Sequence, residues 1–138
     1  MGWSARLASQ YQVSLVADKL LSGRRILVVE DETLILMMIE AMLTDLGCES
    51  ITPAATMGEA VALIDSQVFD AAMLDMNMNG NPSHPVADAL VARGVPFVYC
   101  TGNNISHKLM DVSHDQLVLK KPFKYEQLVE ILTRLLSP

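Results

Sequence analysis

The chain has 138 residues, of which 51% are hydrophobic, and its formal net charge is −6. This composition excludes a disordered chain and favours one domain, with or without an appendage. An acidic chain without a basic stripe binds nucleic acid poorly, and the most apolar stretch, residues 34–43, is too short to span a bilayer. The first residues also lack the pattern of a secretory signal, so we expect a soluble cytoplasmic protein without a membrane or nucleic-acid partner.

Residues 1–22 have the spacing of an amphipathic helix. Apolar side chains recur at every fourth position, namely at Trp3, Leu7, Tyr11 and Leu15. The Ser22-Gly23 pair is a typical helix stop signal, so we predict an N-terminal helical extension over 1–22 and one domain over 23–138. The extension either docks on that domain or forms a contact with a partner or a second copy, and both options stay open.

Apolar runs and helical patterns alternate over the rest of the chain. Buried strands are predicted over residues 25–29, 49–54, 70–75, 95–100 and 116–119. Helices are predicted over residues 33–46, 57–66, 86–93, 105–112 and 125–136. The segment 76–85 is rich in Asn, Gly and Pro and is predicted to be a loop. The methionines of the helix over 33–46 are interpreted as core filler: Met37, Met38 and Met42.

Five strand–helix units predict an α/β fold, a doubly wound five-stranded parallel sheet with helices on both faces. The flavodoxin-like strand order 2-1-3-4-5 places the first, third, fourth and fifth strands side by side. Polar residues follow the carboxyl ends of all four strands: Glu30, Asp31, Asp75, Thr101 and Lys121. Ligands bind at this edge of such sheets, so the sequence predicts a functional site there.

The residue types at this edge indicate phosphoryl chemistry. Three carboxylates held close together repel each other unless a cation is present, and a few hard oxygen ligands suit Mg²⁺. Lys121 adds a compact positive charge, and Thr101 adds a hydroxyl donor. Together these groups can stabilise a transferring phosphoryl group, and a carboxylate among them, Asp75, can act as the nucleophile.

From about residue 24 to its end, the chain resembles a response-regulator receiver domain of two-component signalling, the CheY-like family. Four motifs carry the resemblance: Ile26-Leu27-Val28-Val29-Glu30-Asp31-Glu32, Leu74-Asp75, Tyr99-Cys100-Thr101-Gly102 and Lys121-Pro122-Phe123. The resemblance implies that Asp75 is the phosphoacceptor and that Thr101 and Lys121 bind the phosphoryl oxygens. In this family the Lys121–Pro122 bond is usually cis, which would aim the lysine into the site.

The resemblance also implies a Mg²⁺ site beside the phosphoacceptor. Asp31 would bind the metal directly, together with Asp75, and Glu30 would act through water. Asn77, two residues beyond Asp75, would offer its backbone carbonyl to the metal.

The function implied is that of a receiver phosphorylated by a sensor histidine kinase or a phosphotransfer protein. It would signal by protein–protein interaction or phosphorelay, with no DNA-binding output domain, and would catalyse only its own phosphorylation and dephosphorylation. A homodimer could form through the N-terminal helix or the last helix.

Two departures from the family pattern bear on the output. Residues 99–102 resemble the start of the "FAT GUY" signature of stand-alone receivers that pair with HWE-type and related histidine kinases, but Asn103-Asn104 do not continue it. Many receivers carry an aromatic residue three positions before the lysine, where this chain has Val118. We therefore expect the output to use the loop and short helix after the fourth strand.

Three alternatives stay open. The chain could be the receiver portion of a hybrid histidine kinase, or an interaction module that works without phosphorylation. A phosphatase of the haloacid-dehalogenase type also uses an Asp at a strand end, but it needs a second acid two residues later, where this chain has Asn77.

Overall fold

A computed structural model of the chain describes residues 19–102 and 116–137. Most of the predicted N-terminal helix and the whole predicted helix over 105–112 lie outside these ranges. The division into an extension over 1–22 and a domain over 23–138 therefore stays a prediction.

Strands and helices alternate along the described residues. The strands are β1 (Arg25–Val29), β2 (Ser50–Ala54), β3 (Ala71–Asp75), β4 (Asn77–Met78), β5 (Asn81–Pro82), β6 (Phe97–Thr101) and β7 (Val118–Lys120). The helices are α1 (Thr33–Asp45), α2 (Met57–Ser66), α3 (His84–Ala92) and α4 (Tyr125–Leu135). No helix of the described residues is long and apolar enough to cross a membrane.

Five of the strands form one parallel sheet in the order β2-β1-β3-β6-β7. Because β4 and β5 pair only with each other, this is the predicted order 2-1-3-4-5, and the flavodoxin-like fold is confirmed. Asp75 at the end of β3 pairs with Cys100 of β6, and Thr101 of β6 pairs with Lys120 of β7. This register brings the ends of three neighbouring strands to one level.

The side chains of β1 divide between two buried clusters, as the alternation of a strand requires. Ile26 and Val28 pack in the cluster that contains residues of α1 and α4. Leu27 and Val29 pack in the cluster that contains residues of α2 and α3. The sheet is therefore covered on both faces, which explains why its central strands are continuously apolar.

The interpretation of the α1 methionines as core filler is right only for Met42, which packs against the core. Met37 is 60% exposed and Met38 is 37% exposed, so that interpretation is wrong for these two. The stretch is apolar on nearly every side, and composition alone does not tell which side faces the sheet.

The predicted loop over 76–85 is more ordered than expected. It contains the β4–β5 hairpin, whose tip has Asn79 and Gly80 at positive φ. Helix α3 then begins at His84, two residues earlier than predicted. Pro85 lies in its first turn, where a missing backbone N–H costs no helical hydrogen bond.

Candidate functional site

The carboxyl edge of the sheet brings together the residues that the sequence predicted there. Glu30 and Asp31 follow β1, Asp75 ends β3 and Thr101 ends β6. Lys121 follows β7, and its backbone N–H donates to the carbonyl oxygen of Thr101 at 2.7 Å. Residues far apart in the chain therefore meet because parallel strands end at the same side of the sheet.

Lys121 is the cation at the centre of this group. Its Nζ lies 2.7 Å from Oε1 of Glu30 and 3.5 Å from Oδ1 of Asp75. The side chains are 11% exposed for Lys121, 1% for Glu30 and 8% for Asp75. One ammonium group thus faces two buried carboxylates, and a negative charge is left over.

Burial raises the pKa of Asp75 to about 7. The charge of Lys121 opposes this rise, and the neighbouring carboxylate of Glu30 adds to it. For Lys121, burial acts to lower the pKa, but the hydrogen bond to Glu30 and the charge of Asp75 outweigh it, so the pKa of Lys121 is raised. Lys121 therefore keeps its charge, whereas Asp75 is the group poised to titrate near neutral pH.

Three carboxylates are close enough to share a cation. One oxygen each from Glu30, Asp31 and Asp75 lies within 4.8 Å of the others. Oxygens bound to one Mg²⁺ at its usual distance are about 3–4 Å apart, so the three groups fit this ion with small side-chain movements or an intervening water. Glu30 and Asp75 are buried and Asp31 is half-buried, which leaves Asp31 on the side from which an ion would enter.

A backbone amide donates to each of the three carboxylates. The N–H of Glu32 donates to Oε2 of Glu30 at 3.2 Å. The N–H of Asn77 donates to Oδ1 of Asp75 at 3.2 Å, and the N–H of Asn79 donates to Oδ2 of Asp31 at 3.1 Å. The β4–β5 hairpin therefore links the end of β3 to the acid that follows β1. The structure places Asn77 beside Asp75, and the use of its carbonyl by a metal stays a prediction.

Ser83 is a contributor that the sequence analysis missed. Its side chain is fully buried, and its Oγ donates to the backbone carbonyl of Asp75 at 2.6 Å. Its N–H also donates to the carbonyl of Met76 at 3.1 Å. A serine before a helix is typical of an N-cap, and Ser83 does precede α3. Its hydroxyl does not cap the helix, however, because it donates to the carbonyl of Asp75.

The family model of the response regulator receiver domain matches residues 26–133, which is most of the chain. The chain belongs to this family. The family resemblance read from the four motifs is thereby confirmed, and this receiver domain is of the kind used in two-component signalling.

Solved structures agree with this assignment. SdrG from Sphingomonas melonis Fr1 is 39% identical, with a TM-score of 0.73 over 86% of this receiver and 98% of SdrG. The receiver domain of the sensor histidine kinase PA1611 from Pseudomonas aeruginosa PAO1 is 29% identical, with a TM-score of 0.74 over 85% of this chain and 100% of that one. In that structure a magnesium ion is coordinated in the active-site cleft.

A more distant structure shows the fold alone. The response regulator PhyR from Brucella abortus is 24% identical, with a TM-score of 0.74 over 96% of this receiver and 54% of PhyR. No curated protein sequence matches this receiver significantly.

The buried thiol next to Asp75 is inert. Cys100 pairs with Asp75 in the sheet, and burial raises the pKa of its thiol to about 12. The charge of Lys121 opposes the rise but does not overcome it. Cys100 therefore stays a neutral thiol and acts as a small apolar side chain.

Proposed function

We propose that the protein accepts a phosphoryl group on Asp75 from a sensor histidine kinase or a phosphotransfer protein, with Mg²⁺ as cofactor. The observation that carries this proposal is the position of Lys121, within 3.5 Å of Asp75 and 2.7 Å of Glu30. A fixed cation beside a carboxylate at a sheet edge can neutralise the charge that a phosphoryl group brings.

The transfer itself needs little chemistry from the protein. A carboxylate oxygen of Asp75 attacks phosphorus, and the bond between phosphorus and the donor imidazole nitrogen breaks. The electron pair of that bond stays on the imidazole, which takes up a proton, and Asp75 becomes an acyl phosphate. Mg²⁺, held by Asp31 and Asp75 with Glu30 acting through water, would neutralise phosphoryl charge when bound.

Lys121 and Thr101 would receive the phosphoryl oxygens. Lys121 would leave its bond with Glu30 and pair with the new dianion, and Thr101 would donate its hydroxyl from the end of β6. The same groups would serve hydrolysis of the acyl phosphate, so the protein would catalyse its own phosphorylation and dephosphorylation and no other turnover.

The output would be contact with another protein or onward transfer of the phosphoryl group. Val118 of β7 pairs with Tyr99 of β6 and offers no aromatic ring to swing with Thr101. The segment 103–115, which begins two residues after Thr101, would carry the change to the partner. The assignment to the "FAT GUY" subtype, the homodimer and the cytoplasmic location remain predictions.

One observation favours a second candidate, the receiver portion of a hybrid kinase. The 29% identical receiver of PA1611 belongs to a sensor histidine kinase. In that case the proposed donor would be a histidine in the same polypeptide, and the role of Asp75 would be the same.

Phosphorylation can be tested with a small phosphodonor. Full-length protein is incubated with acetyl phosphate and Mg²⁺ and examined by intact-mass spectrometry, with Asp75→Asn as the test variant. Asp45→Asn removes an exposed carboxylate at the end of α1 and is the matched control. We expect one phosphoryl group on the wild type and on the control, and none on Asp75→Asn; equal labelling of all three proteins would refute the assignment.

A further inference from the structure

The outer face of α1 carries an uncovered apolar stripe. Leu34 is 81% exposed, Met37 60% and Met38 37%, and Ala41 is exposed as well. These positions follow the i, i+3, i+4, i+7 spacing of a single helix face. The opposite face holds Ile39 and Leu43 in the core, so the first half of α1 is apolar on both sides. A helix with two apolar faces is typical of one that is covered on both.

The segment before the domain has a stripe of matching kind. Trp3, Leu7, Tyr11 and Leu15 recur every four residues in 1–18, which lie outside the described residues. As a helix, 18 residues would be about 27 Å long, and the 13 residues of α1 make about 20 Å. The segment is therefore long enough to cover the whole stripe.

The segment enters the domain at the far end of α1. Leu21 is fully buried, and its N–H donates to the carbonyl of Leu46 at 2.9 Å, directly after the last turn of α1. Leu20 packs partly buried against the same cluster. A helix over 1–18 that reaches this end through only a few connecting residues would run parallel to α1, with its first residues beside the start of α1.

Charge supports the same direction. Arg6 is the only basic residue of 1–18, and Asp18 the only acidic one. Parallel packing would bring Arg6 toward the start of α1, where Glu32 and Asp31 precede the helix. The opposite direction would place Asp18 beside these acids.

We propose that residues 1–18 form a helix that packs parallel to α1 on the Leu34–Met37–Met38–Ala41 stripe of its own chain. The covalent connection gives the segment an effective concentration in the millimolar range, which favours it over a second copy in dilute solution.

Oxidation of Met37 by hydrogen peroxide, followed by peptide mass spectrometry on the full-length chain, tests the proposal. Exposed methionine is oxidised readily, so Met37 reports whether the stripe is covered. The test variant is Leu7→Glu with Leu15→Glu, which breaks the apolar stripe of the segment. The control is Ser9→Glu with Gln12→Glu, which adds the same charge to the opposite face of the segment. All four substitutions lie outside the residues that the structure describes, and circular dichroism and the melting temperature check that the domain is intact.

We expect slow oxidation of Met37 in the wild type and in the control, at all protein concentrations, with the light-scattering mass of a monomer. In the test variant the rate should rise toward that of a short Met-containing peptide. Rapid oxidation in the wild type would overturn the proposal and leave the stripe to a partner protein. Equal rates in both double variants would overturn it too, and protection that is lost on dilution of a dimer would assign the stripe to a second copy.

Discussion

The ammonium group of Lys121 lies 2.7 Å from a carboxylate oxygen of Glu30, and both side chains are almost fully withdrawn from water. Asp75 lies 3.5 Å away on the other side of the lysine. Removing one of these three charged side chains should destabilise the fold, because the charge of each is partly compensated by the others. The same lysine thus links Glu30 to Asp75 and, in the proposed function, would bind the phosphoryl group.

We predict that Lys121→Met lowers the free energy of unfolding by about 3 kcal/mol at pH 8 without divalent metal, because two buried carboxylates lose their cation. Lys120→Met is the control, since Lys120 is exposed, and it should change stability little. Urea unfolding in EDTA measures both. Mg²⁺ should restore part of the loss in Lys121→Met, and equal stability of the two variants in EDTA would contradict this role of Lys121.

The raised pKa of Asp75 predicts a pH-dependent stability in metal-free protein. Its pKa is 3.8 in an unfolded chain and about 7 in the fold, so between these values the native state binds more protons than the unfolded state. The contribution of Asp75 to the free energy of unfolding therefore falls as pH rises from about 4 to 7 and stays low above. Asp75→Asn removes this loss, and we expect it to be more stable than the wild type at pH 8, by at most about 4 kcal/mol, and similar in stability at pH 4.

Urea unfolding of both proteins across this pH range in EDTA measures the difference. Asp45→Asn, an exposed acid of α1, serves as control and should follow the wild type. A difference between Asp75→Asn and the wild type that does not change with pH would show that Asp75 does not titrate in this window.

Most of the fold and the site could be predicted because both follow from local patterns. Apolar runs that alternate with helical periodicity leave few topologies, and the doubly wound order forces the ends of β1, β3, β6 and β7 to one edge. Glu30, Asp75 and Lys121 could therefore be brought together from the sequence alone.

The features that the sequence did not predict depend on side-chain direction and on tertiary contacts. The hydroxyl of Ser83 could cap α3 or turn back to Asp75, and only the packed structure decides between these two bonds. The contact of the Asn79 amide with Asp31 depends on the β4–β5 hairpin. Its strands have two residues each, which is too short for an alternation of apolar and polar residues to predict them. The sequence predicts Met37 in the core because the residues around it on the helix are apolar on nearly every side.

The three carboxylates predict Mg²⁺ binding that strengthens with pH. A proton and the metal compete for Asp75, so Mg²⁺ should raise the melting temperature more at pH 8 than at pH 6. Asp31→Asn should abolish this gain while leaving the metal-free melting temperature nearly unchanged, because Asp31 is half-buried and lies at the mouth of the site. Differential scanning fluorimetry with and without MgCl₂ measures both effects. Asp65→Asn, an exposed acid of α2, should respond to Mg²⁺ like the wild type.

Ser83→Ala should impair both stability and phosphorylation. The substitution leaves the carbonyl of Asp75 without the 2.6 Å hydrogen bond from a fully buried hydroxyl, which costs about 1–2 kcal/mol in the free energy of unfolding. The end of β3 would then be held less firmly beside Lys121, so acetyl phosphate should label Asp75 more slowly, although the protein remains folded. Ser66→Ala removes an exposed hydroxyl that donates to the carbonyl oxygen of Leu63 at 3.4 Å, and this variant should keep the stability and the labelling rate of the wild type. The labelling rate is measured by intact mass under conditions where both variants are folded. A normal rate in Ser83→Ala would show that Ser83 supports the fold without positioning Asp75.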